Sequence, residues 1–185
     1  MGIKYIFAAI GTFLLTSGTL FDAWDSILNL IDLLYPPFLF GIKGWMLLIF
    51  RVSIGILFVL HGFPKLVNLH KWAKSLKMPA DLCFLSALSM FLGGFALIVG
   101  FLTPLASLAI LFSMGFATFL HIKQGEPFVG TDPYLLPEGQ YEGPKGKSEP
   151  PSFEKAFMYD LMLLMIIIFG PGAYSLDAIF FAGIN

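Results

Sequence analysis

Four titratable side chains stand out in this sequence because apolar residues surround them: His61, Lys65, His121 and Asp160. His61 and Lys65 are four residues apart, which puts them on the same face of one helix. Histidine and lysine can donate hydrogen bonds to a carbonyl oxygen, and a carboxylate can accept and release protons. A cluster of these groups would therefore bind a polar ligand or move protons.

The elements that would position these residues are long apolar runs. Residues 45–67 form the first, and at ~1.5 Å per residue this helix reaches about 34 Å, enough to cross a hydrocarbon core of about 30 Å. The run contains Arg51 and His61. An ionisable group inside a membrane span costs at least about 2.5 kcal/mol unless it finds a partner or water. Neighbouring helices must therefore supply polar partners.

The composition indicates that lipid is the main solvent. Of the 185 residues, 57% are apolar and 12% are charged, whereas a soluble domain has about 25% charged residues. The net charge of −1 gives no basis for nucleic-acid binding. The single cysteine excludes an internal disulfide or a CxxC pair, and with only three histidines we predict no metal site.

Three further apolar runs, at residues 82–100, 106–122 and 153–170, complete the predicted core. We predict an all-α integral membrane protein: a four-helix transmembrane bundle with an additional N-terminal hydrophobic helix. That additional helix, residues 3–20, is either a cleaved signal peptide or a retained span. We favour retention because no A-x-A cleavage site follows it.

The chain divides into three predicted regions. Residues 1–43 hold the N-terminal helix and a segment at the membrane interface, which is either a short helix or an ordered loop. Residues 44–178 form the four-helix domain, and residues 179–185 form a tail. Within the domain we expect a basic interfacial loop at residues 68–79 and a polar loop without regular structure at residues 123–152, which is rich in proline and glycine.

The distribution of lysine predicts which ends of the helices share one side of the membrane. Lys43 alone falls on one side, whereas eight lysines fall on the other, which should be cytoplasmic: Lys65, Lys71, Lys74, Lys77, Lys123, Lys145, Lys147 and Lys155. His61, Lys65, His121 and Asp160 would then meet in one leaflet, beneath the 123–152 loop. Such a cluster is a structural network, a ligand or redox pocket, or a haem site between the two histidines.

Arg51 lies toward the opposite membrane face. We predict that it forms an ion pair with Asp177, or hydrogen bonds with the carbonyl groups that residues 170–172 leave free at the end of the last helix. Either contact would tie the end of the chain to the helical core.

Three motifs resemble those of DoxX-family membrane proteins, and the likeness covers residues 45–178. The family implies a four-helix membrane bundle, and some relatives, of the DoxD type, are small subunits of a thiosulfate:quinone oxidoreductase. Met90 stands where the family often has glutamate, and Ala173 where it often has arginine. The motifs are Arg51-x-x-x-Gly55-x-x-Phe58-x-x-His61-Gly62-x-x-Lys65-Leu66, LGGFALIVGFLT at residues 92–103, and GPGAYSLD at residues 170–177.

The resemblance and the polar cluster together predict a membrane subunit of a quinone-linked oxidoreductase system. His61, Lys65, His121 and Asp160 would bind a quinone headgroup or assist electron and proton transfer. The alternative is a non-catalytic scaffold or accessory subunit whose 123–152 loop docks a partner protein. Both place a multi-pass protein in a bacterial-type inner or plasma membrane, in contact with lipid and with other membrane or redox subunits.

Overall fold

The computed structural model describes residues 26, 29, 34–143 and 146–181, and α-helices dominate them. This confirms the predicted all-α membrane fold. The predicted N-terminal helix at residues 3–20 lies outside the described residues, as do residues 27, 28 and 30–33 of the predicted interfacial segment. The helices are α1 Gly41–Val67, α2 Leu69–Leu76, α3 Ala80–Val99, α4 Thr103–Lys123, α5 Glu154–Phe169 and α6 Leu176–Phe181.

Three of these helices are long and apolar enough to cross a membrane: α1, α3 and α4. The fourth predicted run is also helical, but α5 has 16 residues, fewer than the ~20 that usually span a bilayer. It begins at the same end of the bundle as the long polar loop and runs antiparallel to α4.

The helices pack as a row in which α1 lies on α3, α3 on α4, and α4 on α5. In contrast, α1 and α5 approach each other at only a few points. All four helices contribute buried side chains to one core: Ile54, Phe58, Met90, Leu97, Ala106, Ile110, Met114, Leu163 and Ile166. The row therefore has a core and an open seam between its first and last members.

Two glycines allow α1 and α3 to touch through their backbones. A Cβ added to Gly55 would lie 2.7 Å from the Gly94 carbonyl oxygen, and one added to Gly94 would lie 2.8 Å from the Gly55 carbonyl oxygen. Small residues permit this approach in membranes, where helices gain stability from close packing. The contact fixes the register of α1 against the bundle.

Both predicted loops contain regular structure, and these two predictions were wrong in that respect. Residues 68–79 include α2, an eight-residue helix whose Ala73 is buried. The 123–152 loop contains a 3₁₀ turn at Pro133–Leu135 and a short antiparallel pair, β1 Glu142–Gly143 with β2 Gly146–Lys147. These elements are too short to show a clear periodicity in the sequence.

Candidate functional site

Arg51 is buried at one end of the bundle, where it holds α1 against the start of the α3–α4 turn. Its Nη1 donates to the carbonyl oxygens of Leu97 and Ile98, the latter at 3.1 Å, and its Nη2 donates to that of Tyr174 at 2.9 Å. Its Nε has no hydrogen-bond partner within the described part of the chain. The charge is therefore stabilised mainly by the dipoles of backbone carbonyl groups.

Asp177, at the start of α6, is fully buried on the other side of the same turn. Its two carboxylate oxygens accept from the backbone amides of Leu102 and Thr103 at 2.7 and 2.8 Å. These amides begin α4, and the positive end of a helix dipole favours a carboxylate there. Burial and the nearby Asp177 raise the pKa of the Tyr35 phenol, which packs on Phe181 with a ring-centroid distance of 4.6 Å.

Of the two predicted kinds of partner, Arg51 binds backbone carbonyl groups, although these belong to Leu97, Ile98 and Tyr174 and not to residues 170–172. The ion pairs that the described residues form are His121–Glu126 and Lys155–Glu149. Arg51 and Asp177 instead bind backbone groups on α3, on α4 and near α6. These hydrogen bonds to backbone groups attach α6 to the helical core.

His61 lies near the other end of α1 and is exposed at the edge of the bundle. Its ring meets that of Tyr159 on α5 edge-on, with centroids 5.6 Å apart, and the Tyr159 ring also packs against Phe58 at 5.1 Å. This contact bridges the two helices that otherwise lie apart. A histidine and a phenol thus meet where α1 comes closest to the first turns of α5.

Lys65 turns toward α2 and α3. Its Nζ lies 3.3 Å from the Met90 sulfur and 4.9 Å from the centre of the Trp72 ring. The sulfur is a weak acceptor, and a cation over an indole face gains about 0.5–2 kcal/mol. Here the Met90 thioether meets the ammonium group of Lys65.

Asp160 is buried between α4 and α5. Its Oδ2 accepts a hydrogen bond of 2.7 Å from the Thr118 hydroxyl, while its Oδ1 has no hydrogen-bond partner among the described residues. Gly115 lies opposite, and a Cβ added there would be 4.0 Å from Oδ1. A buried carboxyl oxygen without a partner is costly, so it marks a place where a proton, a water molecule or a ligand donor could bind.

His121 lies in the last turn of α4 at the same end of the bundle, and its Nδ1 forms a hydrogen bond with the Glu126 carboxylate. The pair is partly exposed. No hydrogen bond or ion pair among the described residues joins any two of His61, Lys65, His121 and Asp160. Each has its own partner, so their convergence into a single pocket stays a prediction.

An apolar groove of about 700 Å³ runs along the seam between α1 and α5. Lys43 and Ser53 are the polar residues that line it. Its other walls include Met46, Phe50, Ile54 and Leu57 on one side and Met162, Met165 and Phe169 on the other. His61 lies one helical turn beyond Leu57, and Tyr159 lies one turn before Met162, so the His61–Tyr159 contact stands at the end of the groove.

Sequence analysis missed three residues that complete this end of the molecule: Thr118, Glu126 and Tyr159. Thr118 precedes His121 by three residues and so lies on the same face of α4, which was a usable signal. Tyr159 precedes Asp160 and was hidden by the aromatic content of the chain. Glu126 lies in the loop, where no helical periodicity indicates which side chains lie close together.

The long apolar helices, their backbone contacts through glycine and the few polar groups at their ends define an α-helical membrane protein. Residues 46–122, from α1 to the end of α4, match the family model named DoxX. This match supports a DoxX-type membrane domain in that part of the chain, and it confirms the resemblance seen in the motifs. Comparison with curated proteins and with solved structures gives no match.

Proposed function

We propose that this protein is a membrane subunit of a quinone-linked oxidoreductase system, and that the quinone enters between α1 and α5. The observation that carries the proposal is the position of the His61–Tyr159 contact at the end of an apolar groove. A membrane quinone has a long apolar chain and a small polar head. The groove suits the chain, and the two rings suit the head.

The groove favours a ligand that arrives from the bilayer. Its walls are almost entirely aliphatic, thioether and aromatic side chains, and it opens along the seam where α1 and α5 diverge. An isoprenoid chain would gain little by leaving lipid for such a groove. Binding would therefore depend on the headgroup contacts, and the groove would orient the molecule along α1.

The headgroup chemistry requires donors and a route for protons. Reduction of a quinone adds two electrons and two protons, and each carbonyl oxygen becomes a hydroxyl group. His61 can donate to one carbonyl oxygen and then supply a proton, and the Tyr159 phenol can donate to the other. Asp160 follows Tyr159 directly and, when protonated on Oδ1, would supply the second of the two protons that the reduction consumes. Electrons would come from a redox partner subunit, as the family's oxidoreductase association suggests.

A binding measurement with a quinone analogue tests this proposal. The full-length protein in lipid nanodiscs is titrated with the analogue, together with the variants His61→Ala and Leu57→Trp. Leu57→Trp narrows the groove, so we expect its affinity to fall by about tenfold, or roughly 1.4 kcal/mol. The matched control, Leu92→Trp, changes an exposed leucine on α3 that does not line the groove.

We expect Leu92→Trp to bind like the wild type, and His61→Ala to bind less tightly with the groove intact. Equal affinities in the wild type and Leu57→Trp would contradict the proposal, as would an equal loss in the two tryptophan variants. Saturable binding that neither His61→Ala nor Leu57→Trp weakens would mean that the quinone binds outside the α1–α5 groove.

The scaffold function has support of its own in the long loop. Tyr134 is 79% exposed and Leu135 is 64% exposed, although the loop is held to α5 by the Lys155–Glu149 ion pair and by the packing of Phe128 on Phe153 at 5.1 Å. A fixed loop that presents two apolar side chains to water suits a docking surface.

Co-purification tests this second function. A subunit that stays bound to the wild type should be lost from a Tyr134→Ser, Leu135→Ser double variant. It should remain bound to Ile179→Ser, which changes an equally exposed apolar residue on α6. Retention by all variants would exclude the loop as the docking surface.

A further inference from the structure

The short helix α2, Leu69–Leu76, links two membrane-spanning helices. Because α1 ends and α3 begins on the same side of the membrane, α2 lies at that surface. Ala73 is buried and Trp72 is half-buried, and the Lys65 ammonium lies 4.9 Å from the centre of the Trp72 ring. The apolar side of α2 is thus fixed against the bundle, which also fixes the direction of its other side.

That other side is mostly basic, with Ser75 as its one exposed neutral residue within α2. His70, Lys71, Lys74 and Lys77 are all exposed, and the spacing of residues 70, 71, 74 and 77 puts them on one face of the helix. None of the four forms an ion pair or a side-chain hydrogen bond within the part of the chain that the structure describes. We call this surface the α2 basic face.

Three other lysines at this end of the bundle have partners, whereas Lys123, at the end of α4, is exposed and has no hydrogen bond or ion pair among the described residues. Lys155 pairs with Glu149, Lys147 donates to the Leu136 carbonyl oxygen at 3.0 Å, and Lys65 contacts Met90 and Trp72. The lysines of the α2 basic face stand out from these because they project away from the bundle. Their charges are available to an external anion.

The basic face also carries a local cost. Like charges three and four residues apart destabilise a helix by about 0.2–0.5 kcal/mol per pair. Lys77 ends the helix with φ = 53°, a left-handed conformation that favours glycine. An anion that lies across the face would offset the repulsion between these side chains.

We propose that the α2 basic face binds the headgroups of anionic phospholipids in the adjacent leaflet. The location of α2 at the membrane surface, its apolar side toward the bundle and its charge favour a lipid headgroup over a soluble anion. Basic clusters beside membrane spans attract anionic lipid in this way. The site is separate from the α1–α5 groove, so it does not depend on quinone binding.

Native mass spectrometry of the detergent-solubilised full-length protein tests this proposal. Phosphatidylglycerol is titrated against the wild type, a Lys71→Gln, Lys74→Gln variant and a Lys43→Gln, Lys123→Gln variant. The second double variant removes the same charge from exposed lysines outside α2. Phosphatidylcholine and inorganic phosphate serve as the neutral-lipid and free-anion comparisons.

We expect phosphatidylglycerol binding to fall about fivefold in Lys71→Gln, Lys74→Gln and less than about twofold in the control, with weak binding of phosphatidylcholine. Added salt should weaken wild-type binding by screening the charges. Equal losses in the two double variants would overturn the proposal, as would equal binding of the two lipids. Displacement of the lipid by millimolar inorganic phosphate would show a phosphate site instead.

Discussion

The two ends of the bundle both hold buried charge, but they stabilise it differently. At the end formed by Arg51 and Asp177, Arg51 donates to the backbone carbonyls of Ile98 and Tyr174 at 3.1 and 2.9 Å, and Asp177 accepts from two backbone amides at 2.7 and 2.8 Å. At the end formed by His61 and Asp160, His61 is exposed, and Asp160 has one hydrogen bond and one oxygen without a partner within the described residues.

This difference separates structural from functional charge in a single small bundle. A charge whose hydrogen bonds are supplied by fixed backbone groups stabilises the fold and has little capacity left for a ligand. A buried carboxylate with spare capacity costs stability, and such a cost is typical of sites that bind or react. The comparison therefore predicts that similar substitutions at the two ends have different effects.

The largest effect should come from Arg51→Ala. The substitution leaves three carbonyl groups without their donor and Asp177 without a nearby cation, and we expect a loss of about 3–5 kcal/mol of unfolding free energy. Reversible unfolding in mixed micelles would measure it. A loss below about 1 kcal/mol would show that the Arg51 end does not organise the fold.

Gly100→Ala tests how closely the Arg51 end is packed. An added Cβ would lie 2.5 Å from both Arg51 Nη1 and the Ser175 Cβ, at a residue with φ = 71°. We expect a loss of about 3 kcal/mol from overpacking and backbone strain together.

Gly125→Ala provides the control, because Gly125 has φ = 76° and open space around it. It should cost only the backbone strain, about 1 kcal/mol. Thermal unfolding of both variants gives the difference, and equal shifts in Tm would show that Gly100 is not in a crowded place.

Replacing each of the two buried aspartates with asparagine compares the two ends of the bundle most directly. Asp177→Asn loses the charge that the α4 amides stabilise and one of two acceptors, so we expect a loss of about 2 kcal/mol. Asp160→Asn removes a buried charge and still accepts from Thr118, so stability should stay within about 1 kcal/mol of the wild type or rise. Equal losses in the two variants, measured by the same unfolding assay, would remove the distinction between the ends.

The smallest effect should come from Glu126→Gln. The His121–Glu126 pair is partly exposed, and such pairs contribute about 0–1 kcal/mol. We expect a change in unfolding free energy below about 0.5 kcal/mol. A loss above about 2 kcal/mol would mean that this pair is part of the fold, like the groups at the Arg51 end.

Sequence analysis located the long apolar helices because long runs of apolar residues directly indicate segments that lie in lipid. It placed Arg51 and Asp177 in one region and named backbone carbonyl groups as the alternative acceptors for Arg51, but it assigned these to residues 170–172 instead of Leu97, Ile98 and Tyr174. A sequence pattern identifies side chains and does not identify which backbone groups lie near them. It missed α2, whose eight residues are too few for a clear helical period. It also did not anticipate the α1–α5 groove, which arises from the helix packing order rather than from any motif.

Photoaffinity labelling with a membrane quinone analogue tests the central claim most directly. The full-length protein in nanodiscs is irradiated with the analogue, digested and mapped by mass spectrometry. The account predicts labels on α1 around residues 57–61 and on α5 around residues 159–162, reduced by excess unlabelled quinone and by Leu57→Trp. Labels confined to α3 and α4, or labelling that excess quinone does not reduce, would contradict it.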